Sequence, residues 1–146
     1  MSFPVKKFKE IVLQLLFSMD MGESSEEDLV PFLMEELAVT RRIVREAHAK
    51  ALEILEKKEE LDQQIESTSE TYALERIGRV ERNILRQGIF ELIYSSEVPP
   101  EAIISEAIRL TRKFGTPESA NFVNALMDAI LKVKQASKSQ FIVDSN

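Results

Sequence analysis

The chain's apolar positions recur at helical spacing along almost its whole length, and the breaks between them are marked by capping and turn residues. Phe8, Ile11, Val12, Leu15, Leu16 and Met19 follow the i, i+3, i+4, i+7 rule, which predicts an amphipathic helix over residues 4 to 20 with Pro4 in its first turn. "MGESSEED" breaks the pattern as a loop, with Ser24 to Glu27 shaped like a capping box. A short second helix follows, with Pro31 near its start. Thr40 suits the N-cap of a third helix running to about Leu55, and "EKKEELDQQIESTS" continues as a more polar fourth.

Gly78 marks the turn into "VERNILRQGIFELIYSS", where Val80, Ile84, Leu85, Ile89, Phe90, Leu92 and Ile93 point in nearly every direction around the axis. A helix that is apolar on all sides is a central, buried one. Gly88 lies on the same stripe as Val80, Ile84 and Leu92, so its low helix propensity points to a close helix contact. The next helix runs from Pro100, suited to a first turn, to Gly115, suited to a left-handed C-cap. Thr116 caps the last helix with Pro117 at its first position, and Val123, Leu126, Met127, Ile130 and Leu131 form its buried stripe. From Ser137 to Asn146 the pattern is lost, which predicts a frayed tail.

Composition agrees with these seven helices. The 146 residues fit one domain, and only 4 Gly and 5 Pro argue against a turn-rich β architecture. The chain has no Cys, which excludes disulfides and thiolate metal sites and points to a reducing compartment, the cytoplasm. Lys9, Glu10, Gln14 and Asp20 interrupt the N-terminal segment, so neither a signal peptide nor a membrane span is expected there.

A net charge of −6 argues against nucleic-acid binding over the whole surface, but the charges are segregated. From Asp20 to Glu36 every charge is acidic, whereas Lys6, Lys7 and Lys9 precede that run and Arg76, Arg79, Arg82 and Arg86 cluster mid-chain. Local basic patches and ordinary solvated helix faces both fit. Catalysis finds no support: His48 is the lone histidine, on a helix among small residues, and no nucleophile motif, zinc spacing or phosphate loop occurs. No catalytic residue, cofactor or metal is expected.

Binding surfaces are better represented. Leu13 and Phe17, four residues apart, point away from the main stripe of the first helix and toward the face of Lys6 and Lys9. Lysine beside an exposed ring suits single-stranded RNA, with ammonium groups on phosphates and the ring under a base. The competing reading places Leu13 and Phe17 beneath another helix. Phe122, near Glu118 and Asn121, poses the same choice between stacking platform and core margin. Arg109, Arg112 and Lys113 end a helix, where the dipole already favours cations.

"YALERIGRVERNILRQGIFELIY" followed by "VPPEAIISEAIRLTRKFGTPESANFVNALMDAIL" resembles the C-terminal half of the bacterial NusB family of transcription antitermination factors. "KKFKEIVLQLLFSMD" resembles that family's first helix. The strong similarity covers residues 72 to 132, the weaker one residues 5 to 20. It implies an all-α fold of two small helical bundles, one about residues 4 to 70 and the other about 72 to 136. It also implies a role without catalysis: binding boxA-type RNA of ribosomal RNA operon leaders together with NusE, a small-subunit ribosomal protein, and joining the RNA polymerase elongation complex with other Nus factors to suppress premature termination.

By the same resemblance, Lys6, Lys7 and Lys9 match the family's arginine-rich RNA-binding start, and Phe17 matches a position usually held by tyrosine. Glu118, Asn121 and Phe122 match an RNA-contacting segment at the seam of the two halves. Lysine keeps the attraction to phosphate without arginine's planar fork, and Phe17 keeps stacking without the phenolic hydroxyl. Ala125 replaces a common glycine, and Tyr72 stands where tryptophan is frequent, which suggests a core role. Acidic Glu75 and Glu81 are the candidates for contact with a basic NusE-like partner, although Glu81 also fits a role in satisfying buried donors. Two other readings stay open: a helical protein adaptor or homodimer with reduced RNA binding, and the RNA-binding domain of a ribosomal RNA cytosine methyltransferase. Against the latter, no catalytic domain or cofactor-binding glycine motif follows.

Overall fold

A computed structural model describes residues 3–22, 34–35, 38–69, 73–95 and 97–145, the last eight of these by backbone alone. The capping box at Ser24 to Glu27, most of the short helix after it, and Tyr72 lie outside the described residues. The elements are α1 (Val5–Asp20), α2 (Arg41–Glu56), α3 (Lys58–Thr68), a 3₁₀ turn (Leu74–Arg76), α4 (Arg79–Tyr94), α5 (Pro100–Phe114) and α6 (Ser119–Ser145). No strand occurs among the described residues, and the fold is all-α as the periodicity predicts. None of the described helices is long and apolar enough to cross a membrane.

The chain divides into two compact units, residues 1–58 and 59–146. In the first, α1 packs against α2. Ile11, Val12, Leu15 and Leu16 of α1 and Val44, Ala47, Ala51 and Ile54 of α2 are fully enclosed. Leu13 is buried as well, so the covered reading holds for it, whereas Phe17 is half-buried. Thr40 caps α2, its hydroxyl accepting from the Ile43 N–H at 3.3 Å. After α1, Gly22 adopts φ of 71° and its N–H reaches the Met19 carbonyl at 3.0 Å, a left-handed turn that glycine enters without steric cost.

In the second unit α4 is central, packing on both α5 and α6. Ile84, Leu85, Gly88 and Ile89 are buried, as expected of a helix apolar on several sides. A Cβ on Gly88 would stand 2.6 Å from Met127 Cε and in ordinary contact, 3.7 Å, with Ala107 Cβ, so the missing side chain is what gives the end of Met127 its room against α4. Lys134 of α6 donates to the Leu92 carbonyl near the end of α4.

The mid-chain arginines do not form one patch. Arg76 and Arg79 are exposed, but Arg82 turns back to donate to the Ile77 carbonyl at 3.0 Å. Arg86 is 1% exposed. It forks onto Asp62, with Nε–Oδ1 at 2.7 Å and Nη2–Oδ2 at 2.9 Å, and donates through Nη1 to Asn83 Oδ1 at 3.1 Å. That pairing explains why α3 belongs to the second unit rather than to the N-terminal half assigned from sequence. Tyr94 adds a second tie, its hydroxyl 2.9 Å from Glu60 Oε1. The hydrogen bond to Glu60, foremost, raises the Tyr94 pKa above its ordinary value.

Two further expectations change. Gly115 has φ of −98°, so no left-handed cap forms there. A Cβ on it would instead meet Glu81 Oε1 at 2.6 Å, which makes the glycine a matter of room for a carboxylate. The helix of α6 also continues to Ser145, through residues where the apolar stripe stops. Lys132, Lys134, Gln135 and Ala136 are good helix formers, and propensity extends a helix that packing has already nucleated.

Candidate nucleic-acid interface

Each unit holds one set of the residues singled out from sequence. On α1, Lys6 and Lys7 are exposed, and Lys9 and Phe17 are half-buried. The Lys7 ammonium lies 5.8 Å from the centroid of the Phe3 ring, a cation–π arrangement at the entry of the helix. The start of α1 and the start of α2 flank an open groove of 920 Å³, lined by Phe3, Val5, Phe8 and Ile43 with Arg42 and Glu46.

On the second unit, Glu118 stands exposed in the turn before α6, and Asn121 and Phe122 occupy its first turn, Asn121 exposed and Phe122 half-buried. The helix begins at Ser119, two residues after Pro117, and the Thr116 hydroxyl meets the Ser119 hydroxyl at 2.6 Å. What holds this turn is Glu81. It is 8% exposed, and its Oε1 accepts from the Thr116 N–H at 3.1 Å. A Cβ on Gly78 would come within 2.3 Å of Glu81 Oε2. The carboxylate is thus seated between two glycines, bonded to a backbone donor that precedes α6. Glu75, by contrast, is exposed on the 3₁₀ turn.

Sequence reading passed over one basic feature. Arg41, Arg42 and Arg45 are all exposed in the first turns of α2, a helix with no acidic residue in its first turn. Arg42 pairs with Glu46 at 3.0 Å. The signal was available: two of these cations stand in the first turn, where the positive end of a helix dipole disfavours them, and the third follows one turn on.

The sequence model of the NusB family matches residues 6–132. The transcription antitermination protein NusB of Chlamydia pneumoniae is 39% identical over 128 residues, 88% of this chain and 80% of that one. Among solved structures, NusB of T. maritima superposes with a TM-score of 0.76 at 28% identity, covering 90% of this chain and 93% of that one. A solved complex described as the antitermination factors NusB and NusE with dsRNA superposes with a TM-score of 0.73 at 26% identity, covering 88% of this chain and 96% of the matched one. With helices, capping and sequence in agreement over most of its length, the chain belongs to the NusB family.

Proposed function

We propose that this chain is a transcription antitermination factor that binds boxA-type RNA jointly with a NusE-like ribosomal protein and acts with the RNA polymerase elongation complex and other Nus factors in the cytoplasm. The observation that carries the reading is the family match across residues 6–132, joined by the likeness to a NusB–NusE complex with RNA. The role is binding, without a catalytic step.

The chemistry of each set fits the task. Lys6, Lys7 and Lys9 supply charge for phosphates at the start of α1, and half-buried Phe17 is a candidate stacking ring in its last turn. Phe122 offers a ring face to an unstacked base, and the Asn121 amide can both donate to and accept from a base edge. Glu118 can accept from a base amino group. Glu81 serves by fixing the turn that presents these three, and exposed Glu75 is the acidic contact for a basic partner. This chain and its partner each bind RNA weakly alone, and docking creates a longer basic and aromatic track whose contacts add.

The test is fluorescence anisotropy of labelled boxA-type RNA against a scrambled strand, with and without the NusE-like partner, at two salt concentrations. Preference for boxA-type RNA, stronger with the partner and weaker in salt, is expected. Phe122→Ala should lower affinity about tenfold, since stacking contributes roughly 1–3 kcal/mol per base. The Lys6, Lys7, Lys9 triple change to Ala should lower it and flatten the salt dependence, with helicity unchanged in both. Partner binding without RNA preference would replace this reading with that of a helical adaptor.

A further inference from the structure

The N-terminal end of α2 carries charge that its own helix does not favour. Arg41 and Arg42 stand in its first turn, where the helix dipole repels cations, and Arg45 follows in the second. Arg41 and Arg45 are four residues apart on one face, a like-charge spacing that further opposes the helix. Arg42 is compensated by Glu46, whereas Arg41 and Arg45 have no ion pair among the described residues. On α5, Arg112 and Lys113 sit in the last turn, where the dipole rewards them. Folding therefore accounts for the basic end of α5 but not for the basic start of α2.

The position of these arginines points to a ligand. Arg41, Arg42, Arg45 and Glu46 border a shallow concavity with Ala49. Arg42 and Glu46 also line the groove shared with Phe3, Val5 and Phe8 at the start of α1. A continuous surface thus runs from the start of α1, across the groove, to the two uncompensated guanidinium groups. On a chain of net charge −6, an unbalanced arginine pair beside a lysine-bearing helix is complementary to a polyanion.

We propose that Arg41 and Arg45 form a phosphate-binding extension of the lysine-bearing surface of α1, holding the backbone of an RNA strand without reading its bases. The inference rests on the RNA-binding reading above. Guanidinium forks suit phosphate oxygens, and the arginines here supply in α2 the planar geometry that the lysines of α1 lack. Because phosphate contacts carry no sequence information, this extension raises affinity for any strand and leaves the choice of sequence to other residues.

The experiment compares the full chain with Arg41→Gln/Arg45→Gln by fluorescence anisotropy, using a long unstructured RNA that contains a boxA-type segment and its scrambled counterpart. Each phosphate contact on a single strand contributes about 0.7 to the slope of log affinity against log salt. Losing two should make the affinity drop between 50 and 200 mM salt about sevenfold smaller, on both RNAs alike, with the preference for boxA-type RNA unchanged. Arg41→Lys/Arg45→Lys should keep the slope. An unchanged slope in a folded Gln variant overturns the extension while leaving RNA binding intact. An unchanged slope accompanied by lost binding of the NusE-like protein overturns it in favour of a protein contact. Absence of RNA binding by the unaltered chain removes the parent reading, and this one with it.

Discussion

The middle of α4 and the start of α2 both carry arginine, and they treat it in opposite ways. Arg86 is enclosed, forked onto Asp62 and bonded to Asn83, so every direction of its guanidinium charge is answered from within the unit. Arg41 and Arg45 are exposed and repel each other at i,i+4 spacing, and Arg41 also lies against the helix dipole. A buried cation without partners would be prohibitive, whereas an exposed one without partners costs a few tenths of a kcal/mol. The same side chain is therefore a piece of scaffold in one place and an available charge in the other, and burial decides which.

Removing Arg86 should break that contrast most severely. Arg86→Met leaves the Asp62 carboxylate and the Asn83 carbonyl oxygen unanswered, and urea unfolding is expected to show a loss of roughly 3 kcal/mol. Adding Asp62→Leu should recover much of it, since an apolar pair can replace a buried ion pair. A loss under about 1 kcal/mol for the single change would mean that the pair is no scaffold. Gly88→Ala carries the comparison from charge to volume. The gain in helix propensity of about 1 kcal/mol should be largely cancelled by moving the buried, flexible end of Met127, for a net change under about 0.5 kcal/mol. In a Met127→Ala background the same change should turn stabilising; thermal melts of the four proteins decide it.

On the exposed side the effects are also small. Thr40→Ala removes the hydroxyl cap of α2 and should cost about 0.5–1 kcal/mol, at the low end because the bond is a long one at 3.3 Å. The Arg41→Gln/Arg45→Gln protein used for RNA binding sharpens the comparison furthest. Its melting temperature should stay level or rise slightly, because the two charges it loses oppose the helix. A clear fall would assign Arg41 and Arg45 to the scaffold along with Arg86.

Four helices were legible in the sequence because each has a periodic apolar stripe with a recognisable start: Pro4, Thr40, Gly78 and Pro100 all stand at or beside observed helix starts, whereas α3 had no start signal and α6 begins two residues after Pro117. The buried character of α4 and the close approach at Gly88 followed from the same pattern. Pairings between distant residues were not legible. Nothing local in "EKKEELD" announces that Asp62 will receive Arg86, so four arginines close in sequence read as one cluster although one of them is core. Gly115 reads as a helix stop wherever it follows a helix, and its true constraint, the Glu81 carboxylate, lies 34 positions earlier in the chain. Of the candidate RNA contacts, Lys6, Lys7 and Asn121 stand exposed, whereas Arg41 and Arg45 went unremarked because arginine at a helix surface is unremarkable until its end of the helix is known.

Glu81 has a consequence for how this protein can vary. Its two carboxylate oxygens crowd the Cα hydrogens of Gly78 and Gly115, so neither glycine can acquire a side chain while the glutamate stays where it is. Shortening the glutamate would free both positions but abandon the Thr116 N–H. Variation at 78 and 115 is therefore tied to residue 81: a side chain at either glycine displaces the glutamate and releases the Thr116 N–H, so the turn that carries Asn121 and Phe122 depends on two hydrogens, that of Gly78 far from it in sequence.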